Sequence, residues 1–226
     1  MDTREVISLA GALQTPGLGE PQIHLAAVLT VGEPRHNQTG SLFEGIAIWA
    51  ERVKTLSVDD VKRRAGTVLR WQLANGVQHV RSHVDVCDPE LRAVRGLVEL
   101  REEVEDQMDI QLVAFPQQGI MSFEGGADLM RKAVGLGVDV VGAIPHFEIS
   151  REYGEQSVKF AMALAAEHGL RVDIHCDETD DDHSRFVEVM AAETIRLGLE
   201  GRVSASHTTP MHGYNNASAY PVLNNR

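Results

Sequence analysis

The sequence predicts an α/β fold, a partial parallel barrel of the (β/α)8 TIM type in which about six of the eight strands are present. Apolar runs typical of strands recur roughly every 30 residues, as they do in βα units, and stretches with helical spacing separate them. The run VDVVGAIP, residues 138–145, is apolar on both faces, which is typical of a parallel strand covered by helices. A complete barrel of this kind has about 250 residues, whereas the chain has 226.

The first unit is predicted to extend to about residue 76. The run from Ile23 to Thr30 is apolar enough for a strand, and an apolar helix follows around Phe43 to Trp49. A further helix begins after Ser57, because Ser57 and Asp60 form a capping box, and it ends at the Asn75-Gly76 pair.

The second strand, residues 77–86, alternates between apolar and polar side chains. His83 and Asp85 share one face, which predicts a polar pair inside the barrel. Asp88 caps the next helix, with Pro89 in its first turn. The remaining strands are predicted, all parallel, at residues 110–115, 138–145, 170–176 and 202–207.

Composition limits the partners of the protein. The 33 acidic and 21 basic residues give a formal charge of -12, which disfavours nucleic acid and anionic lipid surfaces. Cys87 and Cys176 are too few for a disulfide framework and are compatible with a reducing compartment. No apolar run approaches the roughly 18 residues of a membrane helix. We therefore expect a cytoplasmic protein that binds a small molecule, without a nucleic acid or membrane partner.

Polar residues that close the apolar runs are the candidates for chemistry, because reactive residues of a parallel barrel lie at the C-terminal ends of its strands. These candidates are His24, Gln117, His175, Glu178 and His207. Neutral imidazole binds divalent metals, which lower the pKa of bound water toward 7. Glu178 lies three residues after His175, where a carboxylate can accept a proton from such a water.

Structural roles stay open for the same residues. A lone histidine at a strand end is more often a hydrogen-bonded structural residue than a metal ligand. Gln117 in FPQQG can simply serve the turn around Pro116 and Gly119. His146 and His212 are equally open to either reading.

Seven segments carry a resemblance to bacterial cytosine deaminases of the amidohydrolase superfamily: FEGIAIWAER, VRSHVDVCD, VAFPQQGI, VVGAIPHFE, REYGEQS, DIHCDETDDDHSRFVE and SHTTPMHGYN. The resemblance implies a metal-dependent hydrolase barrel over residues 20–226, preceded by an unplaced segment 1–19. It further implies one iron or zinc ion, and the hydrolysis of cytosine to uracil and ammonia by a metal-activated water.

The resemblance also implies roles for individual residues. His24 and His175 match metal ligands, and Glu178 matches the proton shuttle. His207 matches the histidine that hydrogen-bonds the attacking water, and Gln117 matches the glutamine that reads the pyrimidine edge.

The sequence departs from this family at the metal site. Gln22 stands where the family has its first metal histidine, and Ala26 where it usually has an aspartate. The sequence ends at Arg226, soon after the predicted sixth strand, so the eighth-strand aspartate that completes the metal site is also expected to be missing. An open six-stranded sheet predicts association with another copy, a homo-oligomer.

Two further hypotheses therefore stay open beside a cytosine deaminase. One is a catalytically inactive remnant that acts as a binding or assembly partner. The other is a deaminase of another aminated ring, such as isoguanine, creatinine or a triazine.

Overall fold

A computed structural model describes residues 10–224 of the chain. Its strands are β1 (Leu18–Ile23), β2 (Val77–Asp85), β3 (Asp109–Phe115), β4 (Val140–Val141), β5 (Arg171–Cys176) and β6 (Val203–His207). Its helices are α1 (Leu42–Val53), α2 (Val58–Ala74), α3 (Arg92–Glu103), α4 (Gly126–Gly135), α5 (Arg151–His168), α6 (Phe186–Leu197) and α7 (Asn216–Asn224). Of the helices in this part of the chain, none is long and apolar enough to cross a membrane.

The strands form one curled parallel sheet in the order β1-β2-β3-β4-β5-β6, which confirms the predicted partial barrel. Strand β4 is reduced to two residues because its ladder becomes irregular after Val141. Gly142 N still donates to Ala114 O over 2.8 Å, and a Cβ at Gly142 would meet that oxygen, so the close approach requires glycine. A 3-10 turn at Pro145–Phe147 then ends the run.

The predicted first strand at residues 23–30 is wrong. Strand β1 ends at Ile23, and residues 25–29 form a turn instead. The backbone of the turn is satisfied outside any strand, because the guanidinium of Arg64, on α2, donates to the carbonyl oxygens of Ala26 and Val28. Leu25 in this turn is fully buried. Burial without a ladder explains why the apolar run resembled a strand.

Helix α2 has the predicted bounds, but only half of its capping box forms. Ser57 Oγ accepts from Asp60 N over 3.1 Å. The Asp60 carboxylate turns instead to Arg52 and Arg64, at 2.7 and 3.0 Å. Asp60 therefore links the two helices α1 and α2 rather than closing the box.

Helix α3 begins later than predicted. Asp88 accepts from the backbone N of Glu90 and of Arg92, so it does cap the helix. Leu91 adopts a left-handed conformation with φ of 51°, and this turn moves the first helical residue from Pro89 to Arg92. Residues 1–9 of the predicted N-terminal segment 1–19 lie outside the described residues.

The helices cover the outer face of the sheet, and the strand ends carry the polar residues. Val61, Ala65 and Leu69 of α2 are buried against the sheet side, as their spacing predicts. Since all strands are parallel, their C-terminal ends meet at one edge, where the candidate residues lie.

Candidate active site

Three histidines from distant strands meet at the C-terminal edge of the sheet. His24 Nε2 lies 3.3 Å from His175 Nε2, and the rings of His175 and His207 have centroids 4.7 Å apart. His24 directly follows β1, while His175 and His207 lie at the ends of β5 and β6. The curled sheet therefore brings together side chains that are far apart in the chain.

Gln22 lies inside this cluster. Its Nε2 is 3.4 Å from His175 Nε2 and 3.1 Å from His207 Nε2. In this orientation the amide donates to neutral imidazoles, whereas a metal ion would require the carbonyl oxygen of the same group. That oxygen is a weaker ligand for iron or zinc than imidazole.

The buried histidines are held neutral. Burial, together with the neighbouring His83 and His207, lowers the pKa of His24 to about 4. Burial also lowers the pKa of His175, and the imidazoles of His83, His24, His207 and His146 lower it further. Neutral imidazole is the form that binds a metal, so these residues have the protonation state that a ligand needs.

The cluster could hold a metal ion. Ligand atoms of His83, Asp173 and His175 lie within 4.8 Å of one another. Nδ1 of the buried His175 has no hydrogen-bond partner among the described residues. The 3.3 Å between His24 Nε2 and His175 Nε2 equals the spacing of about 3.3 Å between two nitrogens on a tetrahedral ion with bonds of about 2.0 Å. The donor set and its spacing therefore fit a divalent ion.

A buried charge network lies beneath the cluster. Asp173 Oδ2 accepts from Arg81 Nη1 over 2.6 Å, and its Oδ1 accepts from Ser206 Oγ over 2.7 Å. His83 Nε2 lies 3.5 Å from the same carboxylate. Burial alone would raise the pKa of Asp173, but the nearby His83 and hydrogen bonds from Ser206 and Arg81 hold it below its usual range.

Glu178 lies between two histidines. Its Oε1 is 3.8 Å from His207 Nε2, and its Oε2 is 3.7 Å from His146 Nε2. Burial raises the pKa of this carboxyl, an effect that the nearby His207 opposes. A raised pKa suits a group that must hold and release a proton near neutral pH.

Asp177, the residue before Glu178, is anchored to the start of α6. It is fully buried and has φ of 57°. Its carboxylate accepts from Phe186 N and Val187 N at the start of α6. The acidic run at 180–182 therefore lies in the loop before the helix, and the residue that caps the helix is Asp177.

A cavity of about 710 Å³ opens beside the histidines. His24, His175, Glu178 and Gln117 all line it, together with Trp49. It is large enough for a single heteroaromatic ring, since ligand pockets begin at about 300 Å³.

A hydrogen bond between Trp49 on α1 and Asp85 at the end of β2 joins the wall of the cavity to the sheet. Trp49 Nε1 donates to Asp85 Oδ2 over 2.7 Å, and Gln117 N donates to Asp85 Oδ1 over 3.3 Å. Burial raises the pKa of Asp85. The predicted partnership of Asp85 with His83 is wrong in detail, because His83 faces Asp173 instead.

The structure thus brings together the five candidate residues at one edge of the sheet. Sequence reasoning left His146 open and missed Asp173, Trp49 and the pair of Asp85 with Gln117. Asp173 could have been found, because it lies two residues before His175 and so faces the same side of β5. His212 is exposed and binds Thr209 O, away from the cluster.

Comparisons with known proteins agree with this geometry. The model of the amidohydrolase family, Amidohydro_3, matches residues 5–224. The structure of 5-methylcytosine deaminase from Klebsiella pneumoniae, liganded with 5-fluorocytosine, is similar with a TM-score of 0.89 and 45% identity, over 94% of this chain and 55% of that chain.

Two curated relatives are also similar. N-isopropylammelide isopropyl amidohydrolase of Pseudomonas sp. (strain ADP) is 28% identical, over 90% of this chain and 52% of that protein. Pterin deaminase of Rhizobium rhizogenes is 32% identical, over 78% of this chain and 40% of that protein. The chain therefore spans about half the length of the curated relatives it matches.

Proposed function

Since the chain belongs to the amidohydrolase family, we propose that it forms part of a metal-dependent enzyme that hydrolyses the exocyclic C–N bond of cytosine or a closely related ring. The products are the corresponding oxo ring, uracil for cytosine, and ammonia. The observation that carries the proposal is the convergence of His24, His175 and Glu178 on one cavity.

His24 and His175 are the residues that would hold the ion, iron or zinc. His175 is buried and His24 is half-buried, both are neutral, and their Nε2 atoms have the spacing of ligands on one ion. When bound, a divalent ion lowers the pKa of a water molecule and so makes a nucleophile available near neutral pH.

Glu178 would move the protons of the reaction. Its carboxylate would accept a proton from the attacking water and donate it to the ring nitrogen. It would then carry the remaining hydroxyl proton of the adduct to the amino group, which leaves as ammonia as the carbonyl forms. His207, 3.8 Å from Glu178, would hydrogen-bond the oxygen that adds to the ring. The raised pKa of Glu178 supports this role.

Gln117 would recognise the substrate. Its backbone is held by Asp85 at the end of β3, and it lines the cavity. A side-chain amide both donates and accepts, which matches the adjacent donor and acceptor atoms on the edge of a pyrimidine.

The similarity to 5-methylcytosine deaminase supports a cytosine-type substrate. The formal charge of -12 supports a small-molecule substrate without a nucleic acid or membrane partner. Both cysteines are free and buried, which supports a reducing, cytoplasmic location. We further propose a homo-oligomer. Strands β1 and β6 are the two edges of the sheet among the described residues, and unpaired edge strands can pair with another copy of the chain.

A second candidate keeps the reaction and changes the ring. The relatives named pterin deaminase and N-isopropylammelide isopropyl amidohydrolase support this alternative. A catalytically inactive binding partner is favoured by Gln22, which is a poorer metal ligand than histidine, and by Ala26, which stands where the resembling family usually has an aspartate.

The test is ammonia release from cytosine, 5-methylcytosine and a pterin by the purified chain, with iron or zinc added. We expect release from a cytosine, and a loss of about a hundredfold or more in Glu178→Gln. Glu167→Gln, an exposed carboxylate on α5, is the matched control and should retain the rate. Folded, metal-loaded protein that releases no ammonia from any ring would contradict the enzyme proposal and favour the inactive partner.

A further inference from the structure

A buried carboxylate organises the loop that follows Gln117. Glu148 is 8% exposed, and its oxygens accept from Ile120 N over 2.7 Å, Met121 N over 3.1 Å and Ser122 N over 2.8 Å. Ser122 Oγ donates to the same carboxylate over 2.6 Å. Within residues 10–224, no lysine or arginine forms an ion pair with Glu148. Four dipoles of one loop therefore stabilise its charge.

The loop is packed tightly against this carboxylate. Gly119 has φ of 88°, and a Cβ there would lie 2.6 Å from Glu148 Oε2. Glycine is thus needed both for the backbone conformation and for the close approach. Ser122 Oγ also accepts from Ile149 N over 2.9 Å. Both sides of the contact are consequently held, the loop by Glu148 and the segment after β4 by Ser122.

The same loop carries the candidate substrate-reading residue. Gln117 lies two residues before Gly119, and Gly119 N donates to Pro116 O over 2.8 Å in a tight turn. On its other side, Gln117 N donates to Asp85 Oδ1. The backbone of Gln117 is therefore held from β2 by Asp85, and the loop that follows it is held from the β4 side by Glu148.

Resting on the proposed function, we propose that Glu148 is a positioning residue that holds Gln117 against the edge of the substrate ring. It touches no substrate itself and acts through the loop 117–122. Its replacement should weaken ring binding and discrimination more than it slows the chemical step, since its carboxylate binds the loop after Gln117 directly, whereas it reaches Glu178 only through His146, two residues earlier in the chain.

The main variant is Glu148→Gln, which keeps the shape of the side chain but presents an NH2 group to backbone N–H donors. We expect amide hydrogen exchange at residues 120–122 to become about tenfold faster or more, while exchange in β5 is unchanged. We expect KM for cytosine to rise about tenfold, with a smaller fall in kcat. Ser122→Ala is a milder change and should raise both the exchange rate at residues 120–122 and KM, by smaller factors. Glu155→Gln on α5 is the control and should change neither.

A double-mutant cycle separates positioning from general loosening of the fold. In a Gln117→Ala background, Glu148→Gln should change KM by no more than about twofold, because the residue through which it acts is gone. Additive effects on KM, or a faster-exchanging loop with an unchanged KM, would overturn the inference alone. Wild-type protein that neither turns over nor binds cytosine would contradict the proposed function, and the inference with it.

Discussion

His24 Nε2 and His175 Nε2 lie 3.3 Å apart although 151 positions separate the two residues in the chain. The contact exists because β1 and β5, which are not neighbours in the sheet, face each other across its concave side. Gln22 Nε2 is 3.4 Å from the same His175 nitrogen, so the Gln22 amide lies beside the two imidazoles that would hold the metal ion. The affinity of the site for a metal should therefore depend on residue 22.

Gln22→His should raise the affinity for zinc by about tenfold or more, because an imidazole replaces a weak amide ligand. The affinity is measured by competition with a chromophoric chelator at pH 7.5. His24→Gln is the opposite change and should lower the affinity. Equal affinities in the wild type and Gln22→His would show that residue 22 does not face the ion.

The metal-free protein should lose stability as the pH falls from about 6.5 toward 4. Burial lowers the pKa of both His24 and His146 to about 4, from an ordinary 6.5. In this window the unfolded chain takes up protons that the folded chain refuses, so the stabilisation is complete above pH 6.5 and declines below it. Each residue contributes about 1 to 3 kcal/mol of this loss.

The measurement is urea unfolding with a chelator present, at steps between pH 7.5 and 4.5. His146→Gln removes one of these groups, and the free energy of unfolding of the variant should fall less steeply over this range, while His24 and His175 are retained. The neighbours that face His146 are Glu178, Asp177 and His207, and they are unchanged in the variant. Identical slopes for the two proteins would contradict the prediction.

Arg64→Gln should destabilise the fold by about 2 to 4 kcal/mol, because one buried and one half-buried carbonyl oxygen lose their donor. The guanidinium is 2% exposed and donates to Ala26 O and Val28 O over 2.8 and 2.6 Å. Arg63 binds the same Asp60 but is 70% exposed. Arg63→Gln should therefore cost less than about 0.5 kcal/mol. Equal unfolding free energies for the two variants would rule out this role of Arg64.

Trp49→Phe should destabilise the protein by about 1 to 3 kcal/mol, since the buried Asp85 carboxylate loses its indole donor. The same change should loosen the cavity wall, because Trp49 lines the cavity. Trp71, which is 56% exposed on α2, supplies the control variant Trp71→Phe. Thermal unfolding of both variants measures the difference, and a similar small effect in each would contradict the prediction.

Most elements could be predicted from the sequence because their signals are local. The alternation at residues 77–86, the Ser57 cap and the Asn75-Gly76 stop all depend on neighbouring residues, and the structure follows them closely. The apolar run at 23–30 resembles a strand, but its carbonyl oxygens accept from Arg64, a side chain of a different element, rather than from a neighbouring strand. An apolar pattern in the sequence indicates burial. It does not distinguish a strand paired in a sheet from a turn whose backbone carbonyl oxygens accept hydrogen bonds from a distant side chain.

The sequence by itself determined that this is a parallel α/β protein and that polar residues, among them His175 and His207, end its strands. Only the tertiary structure decided that Gln22 contacts both His175 and His207, that His83 faces Asp173, and that Glu148 holds the loop after β3. The physical reason is that strand ends and caps are set by neighbouring residues, whereas distances across the sheet are set by its curl and strand register.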